Sequence, residues 1–381
     1  MGRTKRVFIS DIHLGDERSM TTANPYCWFN KNIPILAHFL NDQLKSPDVK
    51  EVIILGDLFD EWVIPIDVDP LVSIDTICCN PINKLVIDRL KDLATSPDVK
   101  LSYVPGNHDM SMKDSGIWET RQFMETTFPG IKFICSSTVP LGSFVVGPLV
   151  AEHGARYCLF NSPDTWTVTD SCLPLGYFIS RMVASKVSNT GKRESSICIL
   201  MNFVKEFMSS QDFVKDMFTS IAEDAGLALG DRFKLAGIAG YPDTLTIADV
   251  SNRFGNLVCN WEKTSGKIDI ATAMISDAGN LQFAATKTYF HAGSDTNIVI
   301  FGHTHAPIMN KFYLYEPGHG GGYMHNVPCR QIYANSGTWV DDSDKGCTYV
   351  ETEEVRGEQR HYVRLKSYPG NDCLDEGYVN T

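Results

Sequence analysis

The stretch Val52-Ile53-Ile54-Leu55-Gly56-Asp57 is an apolar, β-branched run that ends in a glycine and a carboxylate. Such a run predicts a buried strand, and its carboxyl end is where open α/β sheets place their functional sites. Four further segments repeat the pattern of an apolar run followed by carboxylates, imidazoles or an amide. They are Asp11-Ile12-His13, Gly106-Asn107-His108-Asp109, Glu152-His153-Gly154 and Gly302-His303-Thr304-His305. Five such strand ends predict an α/β fold with one shared site.

Size and composition restrict the class of protein. The 381 residues suffice for one large domain, or for a domain of roughly 250 residues with an elaboration. The net charge of −12 argues against a nucleic-acid partner, because phosphate backbones attract lysine and arginine. No apolar run reaches the roughly 18 residues that span a bilayer. Because the first strand begins so near the start of the sequence, we expect no signal peptide. Eleven cysteines without a C-x-x-C zinc pattern indicate free thiols, so we expect a cytoplasmic protein.

The residue types at the five strand ends suit divalent metal ions. Carboxylates, imidazoles and an amide oxygen are hard or borderline ligands. An aspartate can bridge two ions through its two carboxylate oxygens, and Asp57 is the candidate bridge because Gly56 leaves room beside it. Two ions held about 3.5–4 Å apart can activate a bridging hydroxide and stabilise an in-line displacement at phosphorus. The five segments therefore predict a dinuclear site for phosphoryl chemistry.

Taken as a set, the five segments resemble the signature of the calcineurin-like metallophosphoesterases, over roughly residues 5–155 and 296–340. The resemblance implies a four-layer α/β/β/α sandwich. It also implies that one metal is held by Asp11, His13, Asp57 and His305, and a second by Asp57, Asn107, His153 and His303. The cofactors would be two divalent ions, with manganese (Mn²⁺) expected first and Fe²⁺, Zn²⁺, Ni²⁺ or Co²⁺ also compatible with the ligand set.

The same resemblance implies a catalytic histidine that does not bind metal. His108 would stabilise negative charge on the phosphate or protonate the leaving oxygen, and Asp109 would orient it. A metal-bridging hydroxide would be the nucleophile, so no covalent phosphoenzyme is needed.

The middle of the chain differs from its two ends. About 150 residues separate His153 from His303, which is too long for a structureless loop in a compact domain. Helical patterns recur there at 175–187, 196–208, 212–225, 247–261 and 268–275, and strands return at 331–334, 348–351 and 362–365. We therefore expect a catalytic domain of residues 1–163 and 296–381. Residues 164–295 would form a large helical insertion that could act as a lid.

A narrower similarity concerns the flanks of the motifs. Asp57-Leu58-Phe59-Asp60-Glu61-Trp62, Cys158 after His153, and Gly302 through Pro307 are similar to the UDP-2,3-diacylglucosamine hydrolase branch. That branch cleaves a pyrophosphate in a lipid precursor and carries a helical lid. Residues 173–182 resemble such a lid and would offer Arg181 to a phosphate, although a helix packed on the core explains them equally. The branch usually has arginine in place of His108 and is much shorter than this chain.

Four further residues allow two interpretations each. Arg156 could reach a substrate phosphate or lie in a solvent-facing turn, and Asn335 could border the site or form a tight turn. Asp60 could support the site or cap the turn that follows it. For Trp62 we expect packing rather than a platform for substrate.

Three functions follow from these patterns. The first is a soluble phosphodiesterase or phosphatase that acts on a phosphorylated small molecule. The second is a lipid-linked UDP-sugar pyrophosphatase that makes peripheral contact with the membrane through its insertion. The third is a non-catalytic metal-binding scaffold, which would keep the fold without turnover.

Overall fold

Two β-sheets flanked by helices form the described part of the protein. The computed structural model describes residues 2–17, 29–60, 62–70, 74–110, 117–135, 141–164, 172–190, 212–264, 273, 278–313, 328–341 and 346–380. The strands are β1 (Lys5–Ile9), β2 (Val49–Leu55), β3 (Lys100–Val104), β4 (Lys132–Phe133), β5 (Phe144–Val146), β6 (Leu149–Ala151), β7 (Arg232–Lys234), β8 (Thr244–Thr246), β9 (Ile298–Phe301), β10 (Ile308–Phe312), β11 (Gln331–Asn335), β12 (Cys347–Val355), β13 (Arg360–Tyr368) and β14 (Cys373–Asn380). The helices are α1 (Ile33–Lys45), α2 (Ile74–Cys79), α3 (Lys84–Ala94), α4 (Ile117–Thr127), α5 (Leu175–Thr190), α6 (Phe213–Asp224), α7 (Ile247–Arg253), α8 (Leu257–Thr264) and α9 (Ala278–Thr288).

The two large sheets have parallel centres. The first has the strand order β14-β13-β12-β1-β2-β3-β4, and the second β10-β11-β9-β6-β5. In the first sheet β1, β2, β3 and β4 run parallel, and β12, β13 and β14 extend it with antiparallel neighbours. In the second sheet β6, β9 and β11 run parallel. A small hairpin of β7 and β8, which the sequence patterns do not predict, lies apart from both.

Side-chain alternation along the strands builds the layers. Val52 and Ile54 of β2 face the helices α1 and α3, whereas Ile53 and Leu55 face the second sheet. On the second sheet, Leu149, Ala151, Ile298 and Ile300 complete the core between the sheets. Because both faces of these strands are covered, they read as unbroken apolar runs.

The helices of 164–295 provide the fourth layer. Val299, Phe301 and Tyr333 point away from the first sheet and share one hydrophobic core with residues of α5, α6, α7, α8 and α9. The α/β/β/α sandwich is thereby confirmed, and its outer helical layer comes from the segment expected as an insertion.

The predicted elements can be compared with the structure one by one. The patterns at 175–187 and 212–225 become α5 and α6, and the one at 247–261 becomes two helices that break near Gly255. The strands expected at 331–334, 348–351 and 362–365 are confirmed as parts of β11, β12 and β13. The helix expected at 196–208, and all of 268–275 except Ala273, lie outside the described residues. None of the described helices combines the length and the apolar character that crossing a membrane requires.

Candidate metal centre

The five predicted segments meet at one edge of the sandwich. Each follows the carboxyl end of β1, β2, β3, β6 or β9, which belong to the parallel centres of the two sheets. Their side chains form three overlapping groups whose potential ligand atoms lie within 4.8 Å of one another: Asp11 with His13 and His305, His13 with Asp57 and His108, and Asp57 with His153 and His303. The strand-end rule therefore brings the predicted donors together.

Five of these donors have a left-handed backbone. Asp11, His13, Asp57, His303 and His305 have φ values between 51° and 74°. A non-glycine residue rarely adopts this conformation. Each instance costs of the order of 1–3 kcal/mol, which the contacts of the surrounding structure must offset. Backbone hydrogen bonds provide part of that offset, since the N–H groups of Ile12 and His13 both donate to the Asp57 carbonyl at 2.9 Å.

Asp11, His13 and His305 form the first group. His13 Nε2 and His305 Nε2 lie 3.1 Å apart, and His305 Nε2 lies 3.3 Å from Asp11 Oδ1. Only one hydrogen can occupy the space between two ring nitrogens, whereas a cation accepts both lone pairs. The backbone N–H of His303 donates to both oxygens of Asp11 and ties β9 to β1.

Asp57, Asn107, His153 and His303 form the second group. His153 donates from Nδ1 to the Leu55 carbonyl at 2.7 Å, which leaves Nε2 to face the other donors. That Nε2 lies 3.2 Å from Asp57 Oδ2 and 2.9 Å from Asn107 Oδ1.

Asp57 links the second group to the first. Its Oδ2 is 3.9 Å from His13 Nε2 of the first group and 3.2 Å from His153 Nε2 of the second. A Cβ on Gly56 would lie 2.6 Å from Gly106 Cα, and one on Gly106 would overlap the Asp57 carboxylate. Glycine at both positions therefore admits the central carboxylate, and the donor set fits two divalent ions that share Asp57.

The electrostatics of the buried site keep its carboxylates ionised. Burial alone would raise the pKa of Asp57, but the neighbouring His153 and His108 hold it well below its usual value. Burial opposes the charged form of His153, yet Asp57 outweighs it and raises the pKa of this ring to about 9. Burial and the adjacent His153 together lower the pKa of His303 to about 3. A cation is bound by neutral imidazoles, so His303 is ready to bind, whereas His153 must release its proton when a cation binds.

Asp60 holds His108. Asp60 Oδ1 lies 3.0 Å from His108 Nδ1, and Oδ2 lies 3.1 Å from Nδ1 of His13. The same Oδ1 accepts the backbone N–H of Trp62 at 2.9 Å, so Asp60 both supports the site and caps the turn. Both interpretations of this residue are thus combined in one carboxylate.

Asp109, which was expected to orient His108, binds backbone N–H groups. Its carboxylate accepts the backbone N–H groups of Phe59 at 2.8 Å and Gly106 at 2.9 Å. Burial and the nearby Asp57 charge raise the pKa of Asp109 to about 6. Asp109 therefore joins the loops after β2 and β3, while the hydrogen bond to His108 Nδ1 comes from Asp60.

Arg156 belongs to a polar network beside the site. Its Nη2 donates to Glu152 at 2.6 Å, to the Tyr157 hydroxyl at 2.7 Å and to the Tyr289 hydroxyl at 2.8 Å. Glu152 is buried and also accepts the hydroxyls of Ser143 and Tyr289. These contacts give Arg156 structural partners, and a contact with a substrate phosphate stays a prediction.

Arg181 is fully buried. Its guanidinium donates to the carbonyls of Ile64, Pro65, Ile66, Val68 and Lys234, and to the Tyr177 hydroxyl. The guanidinium expected to contact a phosphate thus binds backbone carbonyls. The helix directs this side chain into the core.

Asn335 is also fully buried. Its Nδ2 donates to the Gly302 carbonyl at 2.6 Å, and its Oδ1 accepts the Gly337 N–H at 3.0 Å. Asn335 therefore forms a tight turn and supports the loop that carries His303.

Asn161 is a polar residue near the site that the sequence patterns did not predict. Asn161 Nδ2 lies 3.4 Å from His303 Nε2, and the Asn161 side chain packs against Gly176 at the start of α5. It follows no strand, so the pattern that located the other residues carries no signal for it.

A family model matches part of this chain. The model of the calcineurin-like phosphoesterases matches residues 4–192, which include four of the five segments. No curated protein matches the chain. Among solved structures, a predicted phosphoesterase from Streptococcus pneumoniae is 11% identical, with 100% of this chain and 99% of that chain covered and a TM-score of 0.29. A purple acid phosphatase from yellow lupin seeds is 12% identical over 99% of this chain and 53% of its own, with a TM-score of 0.39. GAP50, the anchor in the inner membrane complex of Plasmodium, is 11% identical over 99% and 89%, with a TM-score of 0.31.

Proposed function

We propose that this chain is a calcineurin-like phosphoesterase, the family whose model matches residues 4–192, and that it hydrolyses a phosphodiester or phosphomonoester at two divalent metal ions. Membership of that family would make it a metal-dependent phosphoric ester hydrolase. One observation carries the more detailed proposal. Two groups of buried donors converge on either side of the Asp57 carboxylate.

The donors divide between two ions. Asp11, His13 and His305 would hold one ion and Asn107, His153 and His303 the other, with Asp57 shared. When bound, the ions supply Lewis acidity for a water molecule and for the phosphoryl oxygens. Manganese is the ion that we expect, because carboxylate and amide oxygens suit it, although the imidazole donors also suit iron, zinc or nickel.

His108 would act on the leaving group. Asp60 contacts Nδ1 of His108 at 3.0 Å, and the ring would donate its proton to the leaving oxygen. Its ligand atom lies in one group with those of His13 and Asp57, so the ring borders the ions. Asp60 stabilises the protonated ring and fixes its direction.

The first function is favoured over the lipid-linked pyrophosphatase. Arg181, which would have offered a charge to the pyrophosphate, is occupied by backbone carbonyls. The chain also has His108 where the lipid branch usually has arginine. Nine described cysteines are free thiols, which supports a reducing compartment such as the cytoplasm.

Hydrolysis after metal stripping and manganese reloading tests the proposal. Bis-p-nitrophenyl phosphate, p-nitrophenyl phosphate and a UDP-linked pyrophosphate are compared, with metal content measured on the same samples. Asp57→Asn should lose metal and turnover. The control is Glu51→Gln, since Glu51 lies near the opposite end of the same strand with Arg6 and Ser102. A wild-type protein that binds no metal, or binds two ions and hydrolyses none of the three, would contradict the proposal.

A further inference from the structure

Trp62 covers one face of the proposed proton donor. The indole and the His108 ring are stacked, with centroids 4.0 Å apart and an angle of 25° between their planes. Trp62 is fully buried and is not among the metal donors. Resting on the function proposed above, we infer that Trp62 is a positioning residue that holds the plane of His108 for proton transfer.

Asp60 and Trp62 constrain different motions of the histidine. The Asp60 contact fixes the direction of Nδ1, but the ring can still tilt about that axis. The indole face blocks the tilt on one side, and His13 meets His108 edge-on with centroids 4.7 Å apart.

The backbone on both sides of Trp62 is fixed. Its own N–H donates to Asp60 at 2.9 Å, and its carbonyl accepts the Ile64 N–H at 2.9 Å. Just beyond, the Ile66 N–H donates to Ser185 Oγ of α5 at 3.0 Å. Arg181 of the same helix donates hydrogen bonds to the carbonyls of Pro65 at 2.9 Å and Val68 at 2.6 Å.

Helix α5 also contacts the indole itself. The Tyr177 ring meets Trp62 edge-on with centroids 6.0 Å apart, and the Tyr177 hydroxyl accepts a hydrogen bond from Arg181 at 3.0 Å. The indole is therefore packed between the fourth layer and the His108 ring. This arrangement gives Trp62 a packing role, as expected, and makes that packing part of the site.

A double-mutant cycle separates positioning from general packing. Trp62→Leu and Trp62→Phe are made in the wild-type and His108→Ala backgrounds, and manganese-loaded samples are assayed with bis-p-nitrophenyl phosphate. We expect Trp62→Leu to keep its metal and KM and to lower kcat roughly 2- to 12-fold, the range of a lost contact between stacked rings. Trp62→Phe, which keeps a flat face, should recover most of kcat. Trp62→Leu should cause no further loss in the His108→Ala background.

Trp261→Leu is the matched control, because Trp261 is a buried tryptophan of the same core on α8. It should lower the melting temperature and leave kcat per loaded site unchanged. Equal losses from Trp62→Leu in both backgrounds, or no loss at all, would overturn the inference.

A spectroscopic measurement keeps this inference distinct from the proposed function. If the wild type lacks turnover, the proposed function fails, but the His108 ring signals in a histidine-labelled sample still report the stack. These signals are assigned by their loss in His108→Ala. They should shift in Trp62→Leu and stay in place in Trp261→Leu. Unchanged signals in Trp62→Leu would overturn the inference independently of any assay of hydrolysis.

Discussion

Asp60→Asn is the most informative single substitution, because one carboxylate serves two histidines. Asp60 Oδ1 contacts His108 and Oδ2 contacts His13, at 3.0 and 3.1 Å. An asparagine has one oxygen and one NH₂ group. It can accept from one ring in the present geometry, and it then presents a donor to the other ring.

The expected loss follows from one charge-assisted hydrogen bond. Such a bond contributes about 1.5–3 kcal/mol. At about 1.36 kcal/mol per factor of ten, its loss at His108 lowers turnover roughly 10- to 150-fold. If the amide oxygen stays with His108 instead, His13 loses its support and metal affinity falls about 10- to 100-fold.

The assay measures both outcomes on the same preparations. Turnover is recorded at saturating manganese, and bound metal is measured over a manganese titration. Glu51→Gln again serves as the buried carboxylate control. Turnover within twofold of wild type together with an unchanged manganese titration would refute the roles given to Asp60.

Three further substitutions test other parts of the site. Gly106→Ala places a methyl group on the Asp57 carboxylate and should reduce bound metal below two ions per chain, as measured by elemental analysis. His108→Ala should keep both ions and lower kcat roughly 10²–10⁴-fold, and metal loss would contradict its role. Arg156→Ala removes a partner of buried Glu152, so we expect the free energy of unfolding to fall by about 1–3 kcal/mol in a denaturant titration. KM should stay within twofold, and a large rise in KM would restore Arg156 as a substrate contact.

Local sequence could predict that these side chains lie close together, because a strand end is a local feature. An apolar run followed by Asp57 or His153 indicates both the strand and the edge of the sheet where it ends. The partner of His108 could not be chosen in this way, since Asp109 directly follows His108 in the sequence whereas Asp60 is 48 residues away. The choice depends on how the loops after β2 and β3 cross, and that is settled by packing between strands.

The insertion shows a second limit of sequence patterns. Helical periodicity shows that α5 has an apolar face, but not which sheet covers it or where Arg181 points. The structure places these helices on the outer face of the second sheet, around Val299 and Phe301. A stretch that reads as an addition to the domain is thus needed to bury that face.

The left-handed backbone at five donors has a consequence for folding and design. At about 1 kcal/mol or more each, these residues oppose folding by an amount comparable with the 5–15 kcal/mol net stability of a typical domain. The contacts that surround these residues must therefore offset this cost. His305→Gly, for instance, would relieve the backbone strain at this position but would remove a proposed metal ligand. At this position the residue that would favour stability therefore differs from the residue that the proposed activity requires.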